Sequence, residues 1–361
     1  MRHDGTMGDP PLTTAQLNRA VLARQLLLER APLEPATGLE QVCGLQAQYA
    51  PSAYIGLWTR LARFGRDTLT TALNDRSVIQ ASLMRSTIHV TSQPDFVMMV
   101  AGVRRARREW WLRVSRSRGI DEADYRHLAG KLQTMLQDGP RTRSELLAEI
   151  ESAGFPRHAF EGVVLWLDLV RVPPQGTWEH RRANLFALAD KWTDPQMARV
   201  DDIDEADGLD YLLRRYLRGF GPAPLSDAAS WAGVPVSWLE PSVERLDLRR
   251  FSDGGSGVLY DVAHGSLPDP DTPAPVRFLP TWDASLLVHA RRAAILPEQH
   301  RDAIFNAKNP HSVGTFLVDG TVAGTWRHAD GQIQTEPFEP LPAAAAEELE
   351  AEAARLAAFH A

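Results

Sequence analysis

The apolar positions of this chain alternate between helical and strand spacing in blocks, and the blocks recur. Leu17, Ala20, Val21, Leu27 and Leu28 share one helical face, interrupted only by Arg24. Leu39, Val42 and Cys43 repeat the i, i+3, i+4 spacing and predict a second helix over about 37–46. The next position on that face is Gln46, where an apolar residue is expected, and Gln48 follows two residues later. Pro51 biases Ala50 out of the helical region, so the helix is predicted to end between the two glutamines. Short helical patterns follow at 55–61 and 67–73. The segment 78–91 is rich in β-branched residues and reads as strand. A long helix begins near Pro94. Helices followed by a hairpin-like stretch are the layout of a winged helix.

The layout repeats twice. Thr142-Arg143-Ser144-Glu145 is a capping-box signature ahead of Leu146, Leu147 and Ile150, and Gly154 suits that helix's end. A second apolar helix is predicted over 160–169, then a wing from Arg171-Val172-Pro173-Pro174-Gln175-Gly176 to Leu185-Phe186-Ala187-Leu188. In the third block a helix covers 211–217, Ser226 caps 227–232, Gly233 makes the turn, and Ser237 with Glu240 marks the next cap. Asp253-Gly254-Gly255 sits between two short strand-like runs as its wing. Residues 265–275, with four prolines, read as an extended crossing. Beyond it, Asp319-Gly320 and Asp330-Gly331 lie between strand-like runs and meet the positive φ of tight hairpin turns. An alanine- and glutamate-rich helix covers 343–358. The predicted organisation is a polar, flexible 1–16, three helix-and-wing units at 17–119, 120–203 and 204–264, and a small antiparallel β module with a closing helix at 265–361.

An amide on an inward stripe must find hydrogen-bond partners or cost stability, and facing a cleft is one way to satisfy it. Gln46 and Gln48 are therefore the first candidates for chemistry. Their bland reading is a pair of end-of-helix amides. Arg85, Thr87 and His89 alternate, so a strand places them on one face, for contact with phosphate or an active site or as a polar outer face, with Ile88 and Val90 toward the core. Asp283 either supports a pocket or caps the turn that follows it, and His289 and Arg291 are close enough in sequence to share a cleft with it.

Composition narrows the class. Hydrophobic residues make up 44% and charged residues 24% of 361 positions, the balance of an ordinary globular protein, and no apolar run reaches the roughly 20 residues of a membrane helix. Cys43 is the sole cysteine, which rules out an intramolecular disulfide, fits a reducing cytoplasm and reads as a small core residue. The histidines show no metal-ligand spacing, and no phosphate-binding glycine loop or nucleophile elbow is present. Neither a metal nor another cofactor is expected, and the chain reads as a monomer.

A net charge of −7 argues against nucleic acid until its distribution is read. Residues 104–118 hold seven arginines, among them Arg104, Arg105, Arg107 and Arg108, against the single acid Glu109, and Trp110 and Trp111 interleave with them. Residues 194–210 hold seven acids against the single Arg199. Salt screens charge beyond about 8–10 Å, so the local field decides, and these stretches predict a basic surface for phosphates and an acidic one for water.

Several motifs carry a family resemblance: Leu17-Asn18-Arg19-Ala20, Gly44-Leu45-Gln46-Ala47-Gln48, Ser82-Leu83-Met84-Arg85-Ser86-Thr87-Ile88-His89, Leu279-Pro280-Thr281-Trp282-Asp283 and 318–326. The chain resembles the winged-helix DNA glycosylases of the AlkZ/YcaQ type from about Leu17 to its end. Ser86 stands where the family pattern has glycine. The resemblance implies an α+β fold in which three tandem winged helices and a small antiparallel β-barrel form a C-shaped body around double-stranded DNA. It implies excision of N7-alkylated purines and unhooking of interstrand crosslinks, with Gln46 and Gln48 as catalytic residues of the glutamine–any–glutamine subtype. That subtype resembles the branch linked to self-resistance against DNA-alkylating natural products. Two other readings share the basic helices: a non-catalytic winged-helix regulator, which leaves no abasic product, and a scaffold that binds no DNA.

Overall fold

The computed structural model describes residues 11–252, 254–255, 257–287, 294–305 and 313–361. The first block contains α1 (Thr14–Arg24), α2 (Pro35–Val42), β1 (Leu45–Gln46), α3 (Ala50–Trp58), α4 (Arg66–Asn74), the hairpin β2 (Val78–Ser82) and β3 (Ile88–Ser92), and the long α5 (Gln93–Val114). The second contains α6 (Glu122–Leu136), β4 (Arg141–Thr142), α7 (Arg143–Ser152), α8 (Phe160–Val163), β5 (Leu169–Arg171), β6 (Leu185–Leu188) and α9 (Ala189–Trp192). The third contains α10 (Glu205–Phe220), α11 (Leu225–Ala232), α12 (Val236–Arg245), β7 (Leu248–Ser252) and β8 (Val258–Val262). The last contains β9 (Arg277–Leu279), α13 (Arg301–Ile304), β10 (Gly314–Val318), β11 (Thr321–Ala329), β12 (Gln332–Pro337) and α14 (Ala343–His360). The mixed helix and sheet content matches the expected α+β class.

The strands of the first two blocks form one antiparallel sheet of six, in the order β1-β3-β2-β5-β6-β4. The join is the pairing of Gln80 with Arg171 and of Ala81 with Val170. Hairpins that the sequence suggests as separate wings are thus continuous. β7 and β8 pair by themselves, and the last block holds a four-stranded antiparallel sheet, β12-β11-β10-β9. Its two turns are Asp319-Gly320, with φ of 46° and 76°, and Asp330-Gly331, with φ of 52° and 73°. Consecutive positive φ values are the conformation for which Asp-Gly is suited. The capping box at α7 forms as expected: Thr142 Oγ1 accepts from the Glu145 amide at 3.3 Å, and the Thr142 amide donates to the Glu145 carboxylate at 2.7 Å.

Three expected helices are shorter than their apolar patterns. α1 stops at Arg24, and Leu26 has φ of 57°. Arg24 is not a flaw in a stripe but a tertiary anchor, donating to both carboxylate oxygens of Asp261 at 2.6 and 2.8 Å. The helix expected over 160–169 spans only Phe160–Val163, because the chain must turn to enter β5. The helix expected to reach Gln46 ends at Val42.

One core cluster interleaves the first and third blocks, with Phe96, Val100 and Val103 of α5 against Leu212, Leu213 and Tyr216 of α10 and Trp231 of α11. The α5–α10 crossing is close because both helices present glycine: a Cβ on Gly208 would lie 2.4 Å from the Gly102 nitrogen. A second cluster joins Leu57 and Tyr54 of α3 to Phe278, Phe316 and Leu356, fastening the terminal β module to the first block. A third, including Tyr125, Leu132, Phe160 and Trp166, belongs mainly to the second block. Cys43 lies in the first cluster, where burial and then Asp95 push its thiol pKa up, as a small core residue requires. Among the described residues no helix is long and apolar enough to cross a membrane.

Arg24 and Asp261 are both buried, so removing one partner strands a charge. Asp261→Ala is expected to lower stability by about 3–5 kcal/mol, read as a shift of the urea midpoint.

Candidate active site

The site begins with the way α2 ends. The Cys43 and Gly44 amides both return to the Leu39 carbonyl, and both residues adopt positive φ, 71° and 74°. This left-handed reversal is a helix stop that suits Gly44. A Cβ on Gly44 would also lie 2.9 Å from Thr91 Cγ2. The chain leaves the helix as the edge strand β1, with Leu45 opposite Val90 and Gln46 opposite His89. Gln46 is therefore a strand residue, not the end of a helical stripe. Alternation turns Leu45 into the core and directs Gln46 to the other side; Ala47 is buried just past the strand, and Gln48 lies in the bend that follows.

Both carboxamides are held. Arg85 Nη2 donates to Gln46 Oε1 at 3.0 Å, which fixes which end of the amide faces the guanidinium. The Ile88 amide donates to Gln48 Oε1 at 2.9 Å, so this side chain takes over the ladder bond where β1 ends. A carbonyl oxygen has two lone pairs, so each retains one acceptor position. Gln46 is 8% exposed, whereas Gln48 lies open to solvent.

Arg85 is not on a strand. It occupies a 3-10 turn, Met84–Ser86, in which Arg85 and Ser86 have φ of 53° and 59°. Ser86 thus adopts the backbone conformation that favours the glycine of the family pattern. Arg85 also donates to the Trp231 carbonyl and lies against Gly233, where a Cβ would be 3.0 Å from the Arg85 nitrogen. Burial lowers its pKa to about 10, leaving it a cation at neutral pH. Thr87 turns back, its hydroxyl donating to the Met84 carbonyl at 3.0 Å. The expected outward row of Arg85, Thr87 and His89 is therefore broken at the turn.

His89 is 3% exposed, with Nδ1 3.0 Å from the Thr87 carbonyl. Burial and then the Arg85 charge lower its pKa to about 3, against the opposing pull of that carbonyl. The ring is neutral at physiological pH.

Asp283 caps the turn that follows it and pairs with a buried arginine. Its carboxylate accepts from the Ser285 amide at 3.0 Å, capping the turn. It also meets Arg60 Nη2 at 3.0 and 2.9 Å, both side chains fully buried, while Arg60 Nη1 donates to the Gly56 carbonyl of α3 at 3.0 Å. Ser52 and Thr281 hydroxyls, 2.7 Å apart, tie the same loop to the first turn of α3. Asp283 thus supports the helix that follows Gln48 from behind, with no bond to either glutamine among the described residues. His289 and Arg291 lie outside the described residues.

The arginine-rich run requires a correction. The basic and acidic stretches do not form separate faces; part of the run packs on the acids. Arg104 bridges Asp168 at 2.5 Å and Asp201 at 2.7 Å, and Arg105 pairs with Glu205 at 3.1 Å while stacking on Trp238. Arg107 is buried and donates to the Ser82 carbonyl; Arg108 donates to the Leu165 carbonyl at 2.9 Å. Arg113, Arg116 and Arg118 remain exposed.

Two residues that sequence reasoning missed stand beside the glutamines. Tyr49, 38% exposed, directly follows Gln48. Arg181, in the loop between β5 and β6, donates to the Tyr49 hydroxyl at 2.8 Å and lies over its ring. Trp178 in the same loop is anchored edge-on against Tyr54 in the first block. The signal for Tyr49 was its place next to the motif; Arg181 carried none, since its approach depends on the docked loop. Among the described residues no cluster of three or more potential metal ligands occurs.

A family model for AlkZ-like DNA glycosylases matches residues 39–359, and the chain belongs to that family. Over 355 residues it is 23% identical to the interstrand DNA cross-link repair glycosylase of Streptomyces sahachiroi, a match covering 92% of this chain and 94% of that protein. The solved structure of the Streptomyces sahachiroi DNA glycosylase AlkZ aligns with a TM-score of 0.80 at 19% identity, over 97% of this chain and 98% of that one. At this identity the structural likeness establishes a shared fold.

The His89 pKa has a consequence for stability. An unfolded histidine titrates near 6.5, so between that pH and about 3 the unfolded chain binds the extra proton and stability falls as pH drops. His89→Gln is expected to show a smaller drop in melting temperature between pH 7 and pH 4.5 than the wild type.

Proposed function

We propose that the chain is a monofunctional DNA glycosylase that removes N7-alkylated purines and unhooks interstrand crosslinks, in keeping with self-resistance to a DNA-alkylating product. The observation that carries this reading is the pair of glutamine amides at the end of an edge strand and in the bend after it, each with one carbonyl lone pair already pinned. An N7-alkylated purine carries positive charge, so its glycosidic bond breaks without a strong acid. What remains is to place a water at C1′ as oxocarbenium character develops. The free acceptor positions of Gln46 and Gln48 would hold that water. Arg85 puts a cation beside the Gln46 oxygen. This weakens any purely dipolar stabilisation of a developing sugar cation, so the amides would act mainly by orientation.

The duplex would approach from the Gln48–Tyr49 side, where Arg181 supplies an exposed cation and Tyr49 an aromatic face. A base covalently tied to the opposite strand cannot be swung fully out, so recognition would proceed without complete base flipping, unlike the usual case. No cofactor is needed for this hydrolysis.

Incubation with an N7-methylguanine duplex and with a crosslinked duplex should yield abasic sites. Gln46→Ala and Gln48→Ala should each slow single-turnover excision on the order of 10²-fold, the effect of a misplaced reactant. Duplex binding without any abasic product from the wild type would favour a DNA-binding regulator instead. Separately, Arg181→Ala should weaken binding evenly across sequences and reduce the slope of log affinity against log salt by about 1.

A further inference from the structure

Water attack at C1′ leaves a proton unaccounted for. The oxygen–C1′ bond forms, the C1′–N9 bond breaks, its electron pair neutralises the alkylated purine, and one proton must leave the water. A carboxamide orients water but is not basic enough to take that proton at neutral pH. Gln46 and Gln48 alone therefore leave the reaction, as read above, without an acceptor.

The cross-strand partner of Gln46 is His89. The neighbouring pair, Ala47 and Ile88, is joined by a backbone bond of 2.7 Å, which makes Gln46 and His89 a non-hydrogen-bonded pair, the type whose side chains stand closest on one face. The imidazole tautomer follows from its contact. A carbonyl oxygen only accepts, so Nδ1, 3.0 Å from the Thr87 oxygen, carries the hydrogen. Nε2 then carries the lone pair, and it has no hydrogen-bond partner among the described residues. The backbone of the same turn that seats Arg85 on Gln46 thus also fixes the ring's tautomer.

We propose that His89 Nε2 accepts the proton of the water that the Gln46 amide orients, making His89 a catalytic residue of the excision step. This rests on the glycosylase reading. The ring is neutral in the resting site, with the Nε2 lone pair free to accept. Water bonding to an oxocarbenium-like carbon becomes strongly acidic, so a feeble base suffices. A ring kept unprotonated at physiological pH is available in every molecule. The Arg85 cation then favours release of the proton to solvent, which resets the site.

The test is single-turnover excision from an N7-methylguanine duplex by the full chain. His89→Ala and His89→Gln should both lose at least about 10²-fold in rate, the scale of general-base catalysis, with duplex affinity changed less than about threefold. Added imidazole should restore part of the activity of His89→Ala and none of that of Gln46→Ala. The wild type should show a normal solvent deuterium isotope effect on the same step, a readout independent of whether any variant folds. Wild-type rate in folded His89→Gln, or an isotope effect of unity, overturns the inference and leaves the glycosylase reading standing. A wild-type protein that leaves the duplex intact overturns the reading and the inference together.

Discussion

The pairing of Leu45 and Gln46 with Val90 and His89 is two residues long, and the arrangement of the site follows from it. It exists because α2 is stopped by the left-handed Cys43 and Gly44, which turn the chain onto the edge of the sheet. Once Leu45 is committed to the core, alternation puts Gln46 on the opposite side, across from the imidazole. A slip of one residue would exchange a leucine for the amide and end the Arg85 contact. The short strand is secured at its C-terminal end: the Gln48 side chain takes the Ile88 amide, and Ser52 and Thr281 hold the first turn of α3 just beyond it.

Buried charge does the long-range fixing. Arg60 and Asp283 have no exposed side-chain surface, and neither do Asp261 and almost all of Arg24. Such pairs gain little net stability, because desolvation offsets most of the attraction, but an incorrect docking would leave each charge unpaired. They therefore act mainly against alternatives. Arg24 with Asp261 sets the N-terminal helix on the third block, and Arg60 with Asp283 sets the last block behind α3. Gln46 sits on an edge strand and Gln48 just past its end, their supporting elements come from distant parts of the chain, and these pairs bring the elements to one place.

The sequence was most legible where a local rule acts alone. Asp-Gly turns, the Thr142 capping box, Gly233 and the long α5 are all readable from a few neighbouring residues. It was least legible where tertiary contacts override periodicity. Leu39, Val42 and Cys43 match a helix whose apolar pattern alone would carry it further, yet Gly44 was the stop signal that mattered. Arg24 looked like an interruption and is an anchor. Gln46 and Gln48 were singled out from a helix that does not extend that far. The neutral state of His89 depends on burial and on Arg85, and the position of Arg181 depends on a loop docked through Trp178; no spacing within the chain encodes either.

The arginine run illustrates why local composition is a poor guide to a charged surface. Seven basic positions close in sequence suggest a strip for phosphate, but the five on α5 are distributed around its axis, and the first part of α5 packs against α10. Arg104, Arg105 and Arg107 consequently meet carboxylates or carbonyls of their own chain. Asp201 and Glu205 neutralise Arg104 and Arg105. Arg113, Arg116 and Arg118 at the outer end of the run, and Arg181 from the second block, stay exposed. A binding surface assembled from separate blocks can be positioned only after they dock, so its electrostatics are a property of the fold and not of any one segment.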